Sequence, residues 1–344
     1  MKRTLLLLFL AASLGAGGCA ATRQSGVCGS PSPDPNATGD AAALTAQGDI
    51  AWEQRADEAK LREAIDSWET ALKLSPETHD LRVKVARAHY FLADGFIRFD
   101  EEKEEEMKAH FEQGTNHAEL ALAYKYGGYQ TKWCAKQPFE EALAEVDAGA
   151  VPAMYWYATN LGKWALAEGL VTILSEKDRI KAMMDLIKGM NEGYFYNAAD
   201  RYFGAYFTKI PFPSGDLPTS ATHFEASMNA SPQYLATKVL YAQMNALKAE
   251  NRELFERLLK DVLAFDLSQA PELLPENTIE QRKAQDLLDE IASVKATGLT
   301  FAPEAGTQRV IRGGKYMNVF GEILIDPLSW ARMASPGAMA SDEL

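Results

Sequence analysis

Apolar side chains recur along most of the chain with the period of an α-helix. Between residues 180 and 190 they follow i, i+3, i+4, i+7 spacing, and Ser175 with Asp178 is placed as a capping box ahead of them. The same spacing returns between residues 255 and 263, where Asn251 fits an N-cap. The alternation of apolar and polar residues that marks a half-buried strand does not occur before residue 300. The pattern therefore predicts an all-α fold.

About twelve helices are predicted, and most connections between them are short, so that neighbouring helices should form hairpins. Their approximate ranges are 41–59, 62–74, 79–98, 102–124, 138–147, 153–171, 176–192, 196–209, 219–230, 233–249, 252–265 and 277–296. Residues 299–344 differ in character, because two short apolar segments flank Gly313 and Gly314 and predict an irregular extension or a short hairpin. We therefore expect one helical domain over residues 41–298, followed by a C-terminal extension.

Two sets of residues share one order and one spacing: a small residue, an aromatic residue four positions on, a small residue three further on and a proline five further on. The sets are Ala64, Trp68, Ala71 and Pro76, and Ser220, Phe224, Ser227 and Pro232. The second helix of a tetratricopeptide repeat carries this pattern, in which small residues let helices approach, the aromatic ring fills the gap and proline ends the helix. Because the preceding helices lack the rest of the repeat pattern, we expect degenerate tetratricopeptide-like repeats.

The first eighteen residues have the features of a bacterial lipoprotein signal. Lys2 and Arg3 precede an uncharged apolar stretch over residues 5–14, and small residues then lead to Cys19. A helix of ten residues rises only ~15 Å, which is too short to span a bilayer. We expect residues 1–18 to be removed and Cys19 to be acylated, with ordinary secretion and an incidental cysteine as the alternative. An Asp directly after the acylated cysteine would signal retention in the inner membrane. Ala20 stands there instead and favours a periplasmic protein that lipid alone anchors to the outer membrane.

Residues 19–40 are rich in Ala, Ser, Gly and Pro, and they predict a flexible tether between the anchor and the helical domain. Cys28 lies in this tether and Cys134 lies in the domain. In an oxidising periplasm the two could pair and fix the tether to the domain. Two free thiols are the alternative.

Charge and motif content exclude several classes of function. The chain has 48 acidic and 35 basic side chains and a formal net charge of −13, which argues against nucleic acid as a partner. It contains no phosphate-binding glycine loop, dinucleotide fingerprint, zinc-protease motif or serine-hydrolase motif. His110 and His117 could share a helix face, but two ligands do not define a metal site, and surface or capping histidines are expected. The sequence predicts no enzyme, no metal and no cofactor.

Aromatic side chains concentrate on two predicted helices. The first helix, 153–171, carries Tyr155, Trp156, Asn160 and Trp164, and the second, 196–209, carries Tyr202, Phe203, Tyr206 and Phe207. Dense core packing is one explanation. The other is a mainly apolar cavity or pore, because neighbours such as Tyr155 and Trp156 lie about 100° apart round a helix and cannot both face one core. Asn160 would then fix the head of an apolar ligand, unless it simply bonds a nearby backbone carbonyl.

Several short motifs match a known family. Residues 152–164 read P-A-x-Y-W-x-A-x-x-x-G-x-W, residues 202–206 carry an aromatic–Gly–Ala–Tyr run, residues 223–225 read H-F-E, and residues 254–259 read L-F-x-x-L-L. Together with the lipoprotein signal and the acidic helical body, they resemble the TatT-like T-component of tripartite ATP-independent periplasmic (TRAP) transporters. The resemblance covers roughly residues 45–298, and the extension after residue 299 has no counterpart in it.

The resemblance implies a periplasmic lipoprotein with cryptic repeats, a through-going apolar pore and a homotrimeric assembly. It also implies association with the substrate-binding P subunit and the handling of hydrophobic ligands, while separate membrane subunits carry out ion-driven transport. The alternative function is a tetratricopeptide-like scaffold lipoprotein for envelope assembly, which would hold peptides on a concave surface. The aromatic concentration over residues 194–212 suits a cavity better than such a polar groove.

Overall fold

Helices make up the part of the chain that the structure describes. The computed structural model describes residue 23 and residues 25–210 and 215–296, apart from the side chains of residues 170 and 292–296. This part contains thirteen α-helices, several 3₁₀ turns, one π-helical segment and no strand, which confirms the all-α prediction. The expected signal, Cys19 and the extension from residue 299 lie outside it.

The helices α1 to α13 are Ala41–Trp52, Glu58–Leu74, His79–Gly95, Glu104–Lys125, Gly127–Cys134, Phe139–Leu143, Val151–Glu168, Leu170–Met190, Tyr194–Lys209, Leu217–Ala230, Ala236–Leu240, Arg252–Ala264 and Leu274–Ala296. The π-helical segment Tyr241–Ala246 continues α11. Among the described helices, none combines the length and the apolar character that crossing a membrane requires.

Side-chain caps set several of the helix starts. The carboxylates of Asp40, Asp57 and Asp216 accept hydrogen bonds from backbone N–H groups at the starts of α1, α2 and α10. The predicted N-cap Asn251 is confirmed, since its side chain accepts from the N–H of Leu254. The caps also explain one difference from the sequence prediction: the helix expected over 41–59 ends earlier, because Asp57 begins the next helix.

Two further predictions are corrected. The capping box at Ser175 and Asp178 is wrong, because α8 begins at residue 170, directly after Gly169, whose φ of +110° suits glycine. Ser175 lies inside the helix and donates to the carbonyl of Thr172 at 2.7 Å. The short helix α5 was not predicted, because its first residues, Gly127 and Gly128, have the composition of a loop.

The two small–aromatic–small sets lie at close helix contacts. Trp68 on α2 is buried against Gly48 of α1, where an added Cβ would come within 2.4 Å of the indole ring. Phe224 on α10 is buried against Gly204 of α9 in the same way, with a corresponding distance of 2.7 Å. In both helix pairs the aromatic ring packs directly on the backbone of the preceding helix, at a glycine that leaves room for it.

The segment expected as a flexible tether is attached to the helical body over its described part. Cys28 and Cys134 form a disulfide bond, which joins the segment to the end of α5. Val27 is fully buried, and its carbonyl accepts a hydrogen bond from Gln130 at 2.7 Å. Arg23 also forms a buried ion pair with Glu119 at 2.7 Å. These contacts hold the chain against α4 and α5 before it reaches α1.

Two apolar cores form the body. The larger includes residues from Val27 to Phe203, and the smaller includes residues from Phe224 to Leu287. Sequential pairs such as α1–α2, α3–α4, α7–α8 and α9–α10 pack together, while α4 also packs on α7. A cavity is lined by residues of both parts of the body.

Candidate functional site

The cavity has a volume of ≈ 220 Å³. Its walls come from α3, α7, α8, α9, α11, the π-helical segment and α13, together with Tyr234 from the loop before α11. A buried water molecule needs a cavity volume of roughly 10–15 Å³, so this cavity has room for about fifteen water-sized groups. That is the size of a small organic ligand.

Most of the wall is apolar or aromatic. The rings that line it are those of Tyr90, Phe91, Tyr155, Tyr202, Tyr206 and Tyr234, and the aliphatic lining includes Ile173, Ile180, Met184, Val239, Met244 and Ile279. Burial raises the pKa of Tyr90, Tyr202 and Tyr234 above the usual value for a phenol. These tyrosines are therefore neutral at physiological pH, and each offers an apolar face with one hydroxyl.

One region of the wall carries a dense charge network centred on Asp94. Its carboxylate accepts from Arg98 at 2.5 Å, from Lys163 at 3.1 Å and from Lys283 at 2.7 Å, and Lys283 also contacts Glu280 at 2.8 Å. Burial alone would raise the pKa of Asp94, but the three surrounding cations outweigh it and hold the pKa well below its usual range. The network therefore joins α3, α7 and α13 through one ionised carboxylate.

A left-handed turn lies at the start of α9. Phe195, Tyr196 and Asn197 have φ values of +44°, +59° and +55°, in a region that costs non-glycine residues about 1–2 kcal/mol each. Arg201 stabilises the turn by donating to the carbonyl of Tyr196 at 2.9 Å and to that of Phe195 at 3.2 Å. Strain of this kind is characteristic of functional sites.

Arg201 is itself part of the cavity wall. It is only 6 % exposed, it donates to the hydroxyl of Tyr155 at 3.3 Å, and its guanidinium lies 4.6 Å from the centre of the Tyr234 ring. Among the described residues, no carboxylate contacts it. Arginine is always protonated in proteins, so the wall holds a buried positive charge without a neutralising partner.

The π-helical segment adds a second polar group. Gln243 lines the cavity and is 7 % exposed, and its amide nitrogen has no hydrogen-bond partner within the described part of the chain. Single π-helical turns occur often at functional sites, where they shift side chains out of the ordinary helix positions. A buried amide donor without an acceptor is costly, so the cavity favours a ligand that brings one.

The charge of the cavity wall is opposite in sign to that of the chain. Six basic side chains line the cavity: Arg98, Lys163, Lys177, Arg201, Lys209 and Lys283. Only three acidic side chains do so: Asp94, Glu276 and Glu280. Since the whole chain has a net charge of −13, the basic residues are concentrated here, and the field in the cavity attracts anions.

Sequence comparison places the chain in a known family. The family model for the TRAP transporter T-component matches residues 60–294, which include every residue that lines the cavity. The chain belongs to this family. The sequence matches no curated protein. Membership makes the chain an accessory component of a TRAP transporter, associated with the cell envelope.

The sequence analysis named eight candidate ligand-binding residues in this T-component, and only some of them line the cavity. Tyr155, Tyr202 and Tyr206 lie on the cavity wall. The remaining five are not part of that wall, and they are Trp156, Asn160, Trp164, Phe203 and Phe207. Tyr155 thus lines the cavity while its neighbour Trp156 does not, although both rings pack against that of Phe195.

Asn160 lies in the helix core of the T-component rather than on the cavity. It is fully buried, and its amide nitrogen donates to the carbonyls of Ala86 at 3.1 Å and Trp156 at 2.8 Å. Gly114 of α4 leaves room for it, since an added Cβ would come within 2.3 Å of the amide oxygen. The structure thus shows the backbone-bonded arrangement that the sequence analysis left as the alternative to ligand binding.

The polar groups of the cavity were not identified from the sequence. Arg201 stands directly before the aromatic pair Tyr202 and Phe203. A charged residue within an aromatic helix is unusual, and this could have indicated a buried polar group at the site. Gln243 gave no signal, because its position depends on the π-helical turn. Asp94 and Lys283 are 189 positions apart in the chain, and only the fold brings them together.

Proposed function

We propose that this T-component binds an amphiphilic ligand in the cavity, with an apolar body against the aromatic wall and an anionic end at Arg201 and Gln243. The observation that carries the proposal is a pair of buried donors on the cavity wall: within the described residues, no carboxylate contacts Arg201 and no acceptor contacts the amide nitrogen of Gln243. A carboxylate would satisfy both, since it accepts several hydrogen bonds and neutralises the guanidinium.

The apolar part of the ligand follows from the wall. Tyr90, Tyr155 and Tyr234 line the cavity, and burial raises the pKa of Tyr90 and Tyr234, so that these two phenols stay neutral at the pH of the periplasm. A fully hydrophilic anion would lose its hydration here without replacement contacts. A carboxylate on an aliphatic or aromatic body suits both parts of the cavity. This chemistry restricts the hydrophobic ligands that the family resemblance implies to those with an anionic end.

The role in transport is to hold this ligand for the transporter. We propose that the T-component associates with the substrate-binding P subunit and passes the ligand to or from it, while the membrane subunits perform transport. Family membership supports the association with a TRAP transporter. Capture of the P subunit by the tagged T-component from solubilised envelopes, with the ligand present, tests the pairing, and its absence from such captures argues against it.

Binding of a matched pair of probes tests the ligand class. The purified, delipidated protein is titrated with a fluorescent fatty acid and with the methyl ester of the same acid. Because a charge-assisted hydrogen bond contributes about 1.5–3 kcal/mol, we expect the acid to bind roughly 10–100-fold more tightly than the ester. Arg201→Gln should remove this preference while retaining ester binding.

The control is Arg179→Gln, which removes a different cation that packs on the ring of Trp133 and does not line the cavity. It should leave the preference for the acid unchanged. Equal binding of acid and ester by the unaltered protein would contradict an anionic ligand end.

A further inference from the structure

Three histidines and a glutamate gather where α2, α3 and α4 pack, away from the cavity wall. Glu69 lies on α2, His89 on α3, and His110 and His117 on α4. His89 Nε2 is 3.0 Å from Glu69 Oε1, and His117 Nε2 is 3.7 Å from the same oxygen. The other ring nitrogen of His89 is 2.8 Å from His110 Nδ1. From the sequence only His110 and His117 could be placed together, and the fold adds the two missing groups.

The spacing of these atoms is that of a zinc coordination shell. Zinc binds imidazole nitrogen and carboxylate oxygen at about 2.0–2.2 Å, so ligand atoms round a tetrahedral ion are separated by roughly 3.3–3.5 Å. The observed separations of 3.0 and 3.7 Å lie on either side of that value, and all three ligand atoms are within 4.8 Å of one another. We propose that Glu69, His89 and His117 bind one Zn²⁺ ion, with water completing the tetrahedron.

His110 acts as the outer partner that orients His89. A zinc-binding histidine usually donates its second ring N–H to a nearby acceptor, which fixes the tautomer. With His89 Nε2 on the metal, its Nδ1–H donates to Nδ1 of His110 over the observed 2.8 Å. The imidazole ring of His89 is 3 % exposed, so packing as well as hydrogen bonding holds it in place.

The site has the charge and the donor types for zinc rather than for calcium or magnesium. Two imidazoles and one carboxylate suit a borderline-soft ion, whereas hard cations prefer oxygen ligands. Glu69 supplies the negative charge in this donor set that attracts a divalent cation.

Arg82 is the neighbour that must adjust. Its guanidinium lies 3.4 Å from His117 Nδ1, which must carry a proton once Nε2 binds zinc. Arg82 also donates to the carbonyl of Pro76 at 2.7 Å and lies over the ring of Tyr124. These two contacts still hold the guanidinium when it turns away from His117 and its long contact with that ring is lost.

Direct metal binding tests the proposal. The full chain, stripped of metal with a chelator, is titrated with Zn²⁺ alone in competition with a chromophoric chelator. We expect one high-affinity ion per chain. His117→Gln and Glu69→Gln should each weaken binding more than 100-fold, and His110→Gln should weaken it by about 10–100-fold, which is the usual effect of losing an outer partner.

The matched control is His79→Gln, because His79 lies on the same helix as His89 but bonds the carbonyl of Ala121 instead. It should bind zinc as the unaltered chain does. Glu69 is the variant site least prone to disturb folding, since its side chain is 36 % exposed. Circular dichroism of each metal-free variant establishes that it is folded. Zinc affinity that is unchanged in folded Glu69→Gln, or that falls equally in His79→Gln, overturns the site.

Discussion

The carboxylate of Asp94 links three helices of the cavity wall through ion pairs. It is 7 % exposed and bonds Arg98, Lys163 and Lys283. Loss of one partner from a buried charge network leaves the others without compensation, and this is costly even where the complete network adds little stability.

We predict that Asp94→Asn lowers the free energy of unfolding by about 3–5 kcal/mol. The pH dependence has a defined sign, because the pKa of Asp94 is lower in the folded chain than in the unfolded one. Its stabilising contribution is therefore present above about pH 4 and is lost as the pH falls below that value, so the variant should lose stability less steeply in acid. Urea unfolding at pH 7 and between pH 3 and pH 4 measures both effects.

The control is Asp178→Asn, since this carboxylate is 74 % exposed in its pair with Lys177. Its removal should change stability by no more than about 0.5 kcal/mol. A loss in Asp94→Asn that is as small as in this control contradicts the importance of the network.

Tyr206 and Trp164 should respond differently to truncation, because only Tyr206 lies on the cavity wall. Trp164 is 4 % exposed within the larger core, so Trp164→Ala should cost about 3–5 kcal/mol. Tyr206→Ala should cost less and should weaken binding of the fluorescent fatty acid. Thermal or urea unfolding and probe titration of both variants decide this, and equal destabilisation with unchanged probe binding would place Tyr206 in the core as well.

At the scale of elements, the hydrophobic period predicts helices well and their irregular parts poorly. The periodic segments 180–190 and 255–263 lie within α8 and α12, because one continuous apolar face is a local property of the sequence. The left-handed turn at Phe195–Asn197 is not local: it is stabilised by Arg201 and by stacking of Tyr196 on Tyr234 at 4.8 Å. No propensity of aromatic residues predicts it.

The same reasoning explains which part of the site was predictable. Tyr155, Tyr202 and Tyr206 could be singled out because the concentration of aromatic residues on two helices can be read from the sequence. The charges could not be found, since Glu276 meets Arg55 across 221 positions and Lys283 meets Asp94 across 189. Contacts of that separation depend on how helix pairs are arranged, which one sequence does not reveal.

The disulfide bond between Cys28 and Cys134 is the main covalent restraint on the element that precedes α1. The two cysteines are separated by 106 residues, and closing a loop of this length restricts the unfolded chain strongly. We predict that the double variant Cys28→Ser/Cys134→Ser loses about 2–5 kcal/mol of unfolding free energy. Urea unfolding without reductant measures it.

Gln130→Ala provides the control, because it removes only the hydrogen bonds from Gln130 to the segment at Val27 and Gly29. The loss should be about 1 kcal/mol. Adding reductant to the unaltered chain should reproduce the double variant. If the double variant is as stable as the unaltered chain without reductant, the bond does not stabilise the fold.

The whole molecule is proposed to be held at the outer membrane by a lipid on Cys19. The order of charged, apolar and small residues before Cys19 supports this. We predict that Cys19→Ser leaves the protein in the aqueous phase after detergent partitioning, whereas Cys28→Ser still partitions into detergent. A Cys19→Ser protein that stays with membranes after a high-salt wash would show that something other than the lipid anchors it.

Self-association is the last property of the whole molecule, and a homotrimer is proposed from family resemblance. Mature copies, which lack Lys2 and Arg3, have a net charge of −15 and repel one another, although physiological salt screens that repulsion beyond about 8 Å. Contact must therefore rely on apolar faces that exclude charge. Val171 and Leu174 offer such a face on α8, since they are one turn apart and 51 % and 38 % exposed.

We predict that Leu174→Lys dissociates the trimer, whereas Ile50→Lys, at an exposed apolar residue of α1, leaves it intact. Sedimentation equilibrium of the purified chain measures the mass directly. A monomeric unaltered chain at high micromolar concentration would refute the trimer, and a trimer unaffected by Leu174→Lys would place its interface elsewhere.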